Sequence, residues 1–445
     1  MPAHSCTGSQ ASSAQGTPPR SPQSSRPTTP TSGSEDGEGF LGLDASSRNA
    51  NRKFILVIGG LGFIGSHTSL ELLKAGHSVV IVDNLSNSFE SVFSRIQMLA
   101  AHHYREKGGD MPALHLHKID YQSKAMQFLL DMYSISEGFK PQQHPGAPDH
   151  QQPAPERQSR IRGVIHFAAY KSVSESISRP IQYYRNNVCG LVDLVELLGE
   201  YNIRTFVFSS SATVYGSKAD QGRPLREEDL VHHTEEYVDG EGRKTVAEPK
   251  VVGLQSPYAR SKYFCEAILA DIARSDSAWH IVCLRYFNPV GCDSSGLLGE
   301  DPKGIPTNLF PVITQVLTGS LGELSIFGSD WDTRDGTPVR DFVHVSDVAR
   351  GHIAALASDV DAPFRTYNLG SGTGTTVVEA VQSLEAAARR PIPVSRVGRR
   401  DGDVGFCVAS NGRAARELGW TARESIPKCA EDLWRFVSKA QAEAT

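Results

Sequence analysis

The pattern of apolar positions starts abruptly. From Lys53 the chain reads Phe54-Ile55-Leu56-Val57-Ile58, a continuous apolar run of the kind a parallel strand covered on both faces requires. A glycine-rich turn follows, then a helix-period pattern with apolar positions from Leu70 to Leu73 that ends at Gly76, then a second apolar run, Val79 to Val82, that ends on Asp83. Further runs at Leu114–Ile119, Val164–Ala169, Thr205–Phe208 and His280–Leu284 predict four more strands. Between them lie helical patterns. One runs from about Tyr183 to Tyr201 with apolar Val188, Leu191, Val192, Leu194, Val195, Leu197 and Leu198, and another starts at Ser256 with Phe264, Ile268, Leu269 and Ile272 behind it. The stripe on the first is broad for a surface helix, which fits either burial within one chain or cover by a second subunit.

Strands alternating with helices predict an α/β fold, a Rossmann-type doubly wound parallel sheet. Outside that alternation the composition changes. Residues 1–51 are dominated by Ser, Thr, Pro, Gly and Gln with few apolar residues to offset the entropy of ordering, which predicts a disordered tail. Two polar stretches, about 138–160 and 217–255, read as mobile or irregular surface insertions. Among 445 residues, 39% are hydrophobic and the net charge is −5, so a sizeable core is available and no basic surface for nucleic acid or an anionic membrane is expected. No apolar run approaches the roughly 18–20 residues of a membrane span. The seven cysteines are scattered and form no Cys-x-x-Cys, which argues against a disulfide framework or a zinc site and fits a reducing cytoplasm.

The chemistry begins at the first turn. Gly59, Gly62 and Gly65 permit a tight turn, let a pyrophosphate approach the backbone and bring the next helix close to the sheet, while that helix's N-terminus favours phosphate. Asp83 follows about 20 residues later, where an acidic group accepts from the ribose hydroxyls and disfavours a 2′-phosphate, so the expected cofactor is NAD. Asp120 and Tyr121 end the third strand, where adenine or its ribose would lie. Ser209, Ser210 and Ser211 end the fifth strand, a place from which a hydroxyl can relay a proton. Ser256-Pro257 reads as a capped helix start, and Tyr258 and Lys262 then share one helix face. An ammonium beside a phenol favours the phenolate and supplies a base near neutrality.

These motifs, in order, resemble the extended short-chain dehydrogenase/reductase superfamily, and within it the UDP-glucose 4-epimerases. The matching runs are Gly59 to His67, Asp83 to Ser88, Ser209 to Gly216, Ser256 to Tyr258, Arg285 to Gly291, Gly299 to Pro302, Gly304 to Pro306 and Asp335 to Asp341. The resemblance implies that Tyr258 is the base on the sugar 4-hydroxyl, that Lys262 holds the nicotinamide ribose and depresses the tyrosine pKa, and that Ser211 bonds the same hydroxyl. It implies NAD contacts from Phe63, Ile64, Asp83, Asn84, Asn87, Ser88, Asp120, Tyr121, Lys171, Asn186 and Phe287. The UDP contacts it implies are Asn288, Asn308, Ser325, Ile326, Phe327, Arg340, Arg400 and Asp403. Cys407 matches a position bordering the sugar's C2 side, where a tyrosine would restrict the pocket and a cysteine leaves space for N-acetylhexosamines.

With the resemblance come an NAD-binding domain over 52–285 and a smaller, discontinuous C-terminal substrate domain over 286–445, of which about 341–385 returns to the first. A UDP-hexose substrate and a homodimer are expected, without metal, nucleic acid or membrane. Two other readings share features with this one. A 4,6-dehydratase or decarboxylase has the fold, NAD and the Tyr/Lys pair, but dehydratases carry Asp-Glu where this chain has Ala212-Thr213. A non-catalytic NAD-bound sensor or scaffold would not require Ser211, Tyr258 and Lys262 together.

Overall fold

The computed structural model describes residues 52–135, 157–239, 241–250, 253–304, 306, 308–400 and 403–444. The expected tail and most of the first insertion lie outside them. The first half comprises β1 (Phe54–Ile58), α1 (Phe63–Lys74), β2 (Ser78–Val82), α2 (Ser91–Lys107), β3 (Leu114–His117), α3 (Ala125–Met132), β4 (Ser134–Ile135), β5 (Gln158–Ser159), β6 (Ile161–His166), α4 (Val173–Ser178), α5 (Pro180–Tyr183), α6 (Gly190–Glu200), β7 (Thr205–Ser211), β8 (Glu235–Val238), β9 (Lys244–Ala247), α7 (Pro257–Ser275) and β10 (His280–Tyr286). The second comprises β11 (Asn288–Val290), α8 (Leu309–Leu317), β12 (Leu324–Phe327), β13 (Val339–His344), α9 (Val345–Leu356), β14 (Phe364–Leu369), β15 (Gly374–Thr376), α10 (Val377–Ala388), β16 (Val394–Val397), β17 (Phe406–Cys407), α11 (Gly412–Glu417) and α12 (Ile426–Ala444).

Seven parallel strands form the central sheet in the order β14-β10-β7-β6-β1-β2-β3. The apolar run in β1 is continuous because both its faces are covered. Phe54, Leu56 and Ile58 pack with α3, α6 and α7, whereas Ile55 and Val57 pack with α1, α2 and α9. The chain leaves β1 toward β2 on one side and later returns as β6 on the other, so a crevice opens at the carboxyl ends of β1 and β6, where ligands of open α/β sheets bind.

Beyond β10 the chain builds a smaller layer. β11, β13, β15 and β17 form a mixed sheet, β12 pairs with β16, and α8, α10 and α12 close a third core around Phe310, Phe342 and Leu384. α9 packs against α1, and β14 forms the edge of the seven-stranded sheet. By contrast β15 pairs with β13, and α10 packs on α12.

Two expectations about local structure change. The Tyr183–Tyr201 helix is not one regular helix: Tyr184–Cys189 is a π-helical turn between α5 and α6. Its wider hydrogen-bond spacing re-aims side chains, here Asn186 and Asn187. Most of the apolar stripe is buried within the chain, by Leu191, Leu194, Val195 and Leu198, while Val192 stays 41% exposed. The described residues of 217–255 are not irregular throughout, because β8 and β9 form an antiparallel hairpin and Leu225, Glu227 and Leu230 are buried. Its polarity misleads because part of it is paired inward: Glu235 meets Arg365 at 2.7 Å and Arg413 at 2.8 Å.

Candidate active site at the carboxyl edge of the parallel sheet

The turn after β1 is shaped by what a side chain would hit. At Gly59 the backbone φ is +78°, a region glycine favours, and a Cβ would lie 2.8 Å from the Ala168 backbone nitrogen. At Gly65 a Cβ would lie 2.2 Å from the Gly59 carbonyl oxygen. Gly62 supplies no side-chain cap to α1, which leaves its first N–H groups available to an anion. Asp83, at the end of β2, is buried; its Oδ2 accepts from Leu61 N at 3.0 Å, and its Oδ1 accepts from Leu85 N at 2.9 Å and Ser88 Oγ at 2.8 Å. The carboxylate thus ties the glycine turn to the loop carrying Asn84, Asn87 and Ser88. A tight glycine cradle, a free helix start and an acid beside it fit a dinucleotide.

Other expected cofactor residues gather in the same region. Asn84 Nδ2 donates to Asp120 Oδ2 at 3.2 Å, and Tyr121 donates its hydroxyl to the Asn186 carbonyl at 2.8 Å. Gln122, which the sequence did not single out, reaches Asn186 Oδ1 at 2.9 Å. Asn187 was also missed. It is buried and bonds Tyr170 N at 2.9 Å, the Tyr170 carbonyl at 3.1 Å and Ser261 Oγ at 3.0 Å, so it fastens the turn before Lys171 to α7. Lys171 Nζ donates to Glu300 Oε1 at 2.8 Å, and Asn308 Nδ2 approaches the same oxygen at 3.3 Å. Phe63 meets His67 edge-on, Ile64 packs partly into the core on the α1 side of the sheet, and Phe287 is buried beside β14.

Ser256 caps α7 by accepting from Ala259 N at 3.1 Å, with Pro257 in the first turn. Tyr258, Lys262 and Ser211 are all buried. Burial pushes the Tyr258 phenol up to about 12, and its hydrogen bond with Ser211 pulls the other way. Thr213 holds that serine by donating from Oγ1 at 3.0 Å. Lys262 is pushed down to about 8 by burial. Its ammonium donates to the Ser209 carbonyl at 2.6 Å and lies 4.6 Å from the centre of the Phe208 ring. In the chain by itself the ammonium is held by the end of β7, and burial is the larger influence on the phenol.

The expected uridine-side residues lie on the smaller layer. Arg340 on β13 and Arg400 both approach Asp403, at 3.7 and 3.8 Å. Arg340 also donates to the Val404 carbonyl at 2.8 Å, and Arg400 lies 3.7 Å from the centre of the Phe327 ring. Arg399 does the same over Trp331 at 3.8 Å, a stack sequence reasoning missed because the partners are far apart in the chain. Asn288 Nδ2 donates to the Asp341 carbonyl at 3.0 Å. On β12 Ser325 is exposed, whereas Ile326 turns its side chain into the third core, so only its backbone remains for a ligand. Cys407 sits opposite Arg340 in register, its thiol pushed up to about 11 by burial.

This geometry can be set beside known proteins. A model of the NAD dependent epimerase/dehydratase family matches residues 55–134 and 149–370. The chain belongs to that family. UDP-glucose 4-epimerase of Bos taurus is 40% identical over 387 residues, covering 86% of this chain and 95% of that protein. Among solved structures, UDP-glucose 4-epimerase of Stenotrophomonas maltophila with NAD and formylated UDP-arabinopyranose matches with 36% identity and a TM-score of 0.72, over 88% of this chain and 100% of that one. The Bifidobacterium longum enzyme in complex with NAD+ and UDP matches with 36% identity and a TM-score of 0.71, over 87% and 99%. Both are family members with the same doubly wound architecture. Among the described residues no helix is long and apolar enough to cross a membrane, and no cluster of His, Cys, Asp or Glu could hold a metal ion.

Proposed function

We propose that the chain interconverts UDP-glucose and UDP-galactose with NAD, inverting the sugar at C4. The observation that carries this reading is the buried constellation of Ser211, Tyr258 and Lys262 at the carboxyl edge of the sheet that also bears the glycine turn. The glycine turn of Gly59, Gly62 and Gly65 with Asp83 would hold NAD, whose nicotinamide would supply a hydride acceptor and donor for C4. Tyr258 takes the proton of the 4-hydroxyl as C4 is oxidised and restores it after the 4-keto sugar has turned its other face. Ser211 orients that hydroxyl, and Lys262 supplies positive charge to the phenolate. Asn288, Asn308, Ser325, the Ile326 backbone, Phe327, Arg340, Arg400 and Asp403 hold UDP, the two arginines meeting the charge of its pyrophosphate. Gripping UDP while the hexose is weakly held is what allows the ketone to rotate. Ala212-Thr213 offers no acid and base for a dehydration, and Thr213 is committed to Ser211.

The deciding experiment is incubation of the purified protein with UDP-galactose without added reductant, followed by chromatographic separation of epimers. Appearance of UDP-glucose at constant total hexose is expected; a 6-deoxy-4-ketose, or no conversion with NAD bound, overturns the assignment.

Cys407 carries the substrate range. A small side chain beside Arg340 leaves room at the sugar's C2 substituent, so UDP-N-acetylglucosamine and UDP-N-acetylgalactosamine are substrates too. Cys407→Tyr is expected to lower the N-acetylhexosamine rate by about 10-fold or more while UDP-galactose turnover stays within about 3-fold. Equal losses on both sugars would refute the space argument.

A homodimer is proposed from the helices beside the site. Ile177 (63% exposed), Ile181 (68%), Val192 (41%) and Phe264 (42%) lie on α4, α5, α6 and α7, which pack on one another directly or through the π-helical turn. A second copy laid on this face removes them from water. Phe264→Glu combined with Val192→Glu is expected to convert a dimer into a monomer in light scattering; a dimer that survives both changes places the contact elsewhere. The free described cysteines fit a cytoplasmic location.

A further inference from the structure

One fully buried charge on the catalytic helix has no part in the reaction just described. Glu266 lies one turn beyond Lys262 on α7, and its side chain is completely shielded from solvent. Three elements supply its partners. Arg285 of β10, equally buried, donates from Nη2 to Oε2 at 2.6 Å and from Nε to Oε1 at 3.0 Å. Ser210 of β7, the cross-strand partner of Arg285, donates its hydroxyl to Oε1. His232, from the stretch expected to be a surface insertion, places Nε2 2.9 Å from Oε2. Burial opposes ionisation of this carboxyl, but Arg285 and His232 outweigh it and hold the group well below the ordinary carboxylate range.

The neighbours of Lys262 decide what that charge does. Burial pushes Cys265 of α7 up to about 12 and Cys283 of β10 upward as well, and it pushes His166 of β6 down to about 3. All three are uncharged at neutral pH. Of the groups that support the Lys262 ammonium through space, Cys265, Glu266 and Cys283, Glu266 is therefore the ionised one among the described residues. Arg285 brings the opposing charge from the strand, and Tyr215 faces the pair as a neutral phenol.

We propose that Glu266 is a positioning residue for proton transfer at Tyr258: its charge supports the Lys262 ammonium, and its bond to Ser210 holds the strand end that carries Ser211. His232 completes the shell, so the inserted stretch braces the catalytic helix from behind. The proposal rests on the assignment of Ser211, Tyr258 and Lys262 to the epimerisation.

In the holoenzyme, Glu266→Gln is expected to lower kcat about 10-fold at pH 8 while KM for UDP-galactose stays within about 2-fold. The alkaline limb of the kcat profile is expected to move toward neutrality by about one pH unit, because an ammonium without its counter-charge loses its proton sooner. Glu266→Asp, which keeps the charge and the partner of Arg285, is expected to hold the limb in its original place. Should Glu266→Gln leave the guanidinium unpaired and fail to fold, Glu266→Gln with Arg285→Gln replaces it, UDP binding by calorimetry reporting an intact site. A folded variant whose limb stays put overturns the proposal. So does an equal displacement in Glu266→Asp, and so does failure of both glutamine variants to fold, which would assign Glu266 to stability alone. If the wild-type protein does not interconvert the two UDP-hexoses, the functional reading fails; an active wild type with an unmoved limb in the variant sinks only this inference.

Discussion

Tyr258→Phe is expected to lower kcat for UDP-galactose by about 10³-fold, with KM changed by less than about 3-fold. The substitution removes one oxygen and leaves the ring in its buried place, so the fold and the UDP contacts stay intact. What disappears is the only bond of the site through which the 4-hydroxyl proton is to leave. Because burial raises the phenol to about 12, little phenolate exists at neutral pH in the chain alone, and the rate should rise with pH until loss of the Lys262 proton, near 8 before ligands bind, reverses the trend. A bell-shaped profile in the wild type that collapses to a flat residual rate in Tyr258→Phe is the expected pair of measurements. Activity within about 10-fold of wild type in the variant would remove Tyr258 from the proton transfer.

Gly65→Ala should be as damaging by a different route. The new methyl would lie 2.2 Å from the Gly59 carbonyl and 2.9 Å from the Gly60 Cα, and both obstacles are backbone. Neither can rotate away, so α1 must move off the sheet or the turn must open. Overpacking of this kind costs about 1–3 kcal/mol. Displacement of the helix start from the phosphates adds to that, and about 100-fold weaker retention of NAD is expected. Absorbance of the purified protein at the nucleotide band, before and after denaturation, measures the bound dinucleotide. A variant that purifies with a full complement of NAD would show that the close approach is not required.

The parts of this fold that were legible in the sequence are those set by neighbours along the chain. The β1 run, the glycine turn and Asp83 announce themselves because each answers a local demand: burial on both faces, a tight backbone path, an acid at a fixed spacing. Ser256-Pro257 fixed the start of α7, and with it the shared face of Tyr258 and Lys262, since capping acts within one turn. What could not be read was set by contacts between distant residues. The π-helical turn at Tyr184–Cys189 has no signature in hydrophobic period, and it is what brings Asn187 to Ser261. The hairpin of β8 and β9 looked irregular because Glu235, its inward carboxylate, is satisfied by Arg365 and Arg413, more than a hundred positions away. The bond from Lys262 to the Ser209 carbonyl near the end of β7, 53 positions earlier in the chain, was likewise not legible.

The two-sided burial of β1 also bears on how the chain tolerates changes in length. Phe54, Leu56 and Ile58 serve one core and Ile55 and Val57 the other, so a single inserted residue would exchange the occupants of both at once. The same slip would carry Leu61 away from the carboxylate of Asp83, which receives its N–H. Length variation is therefore excluded from the stretch between Phe54 and Gly65.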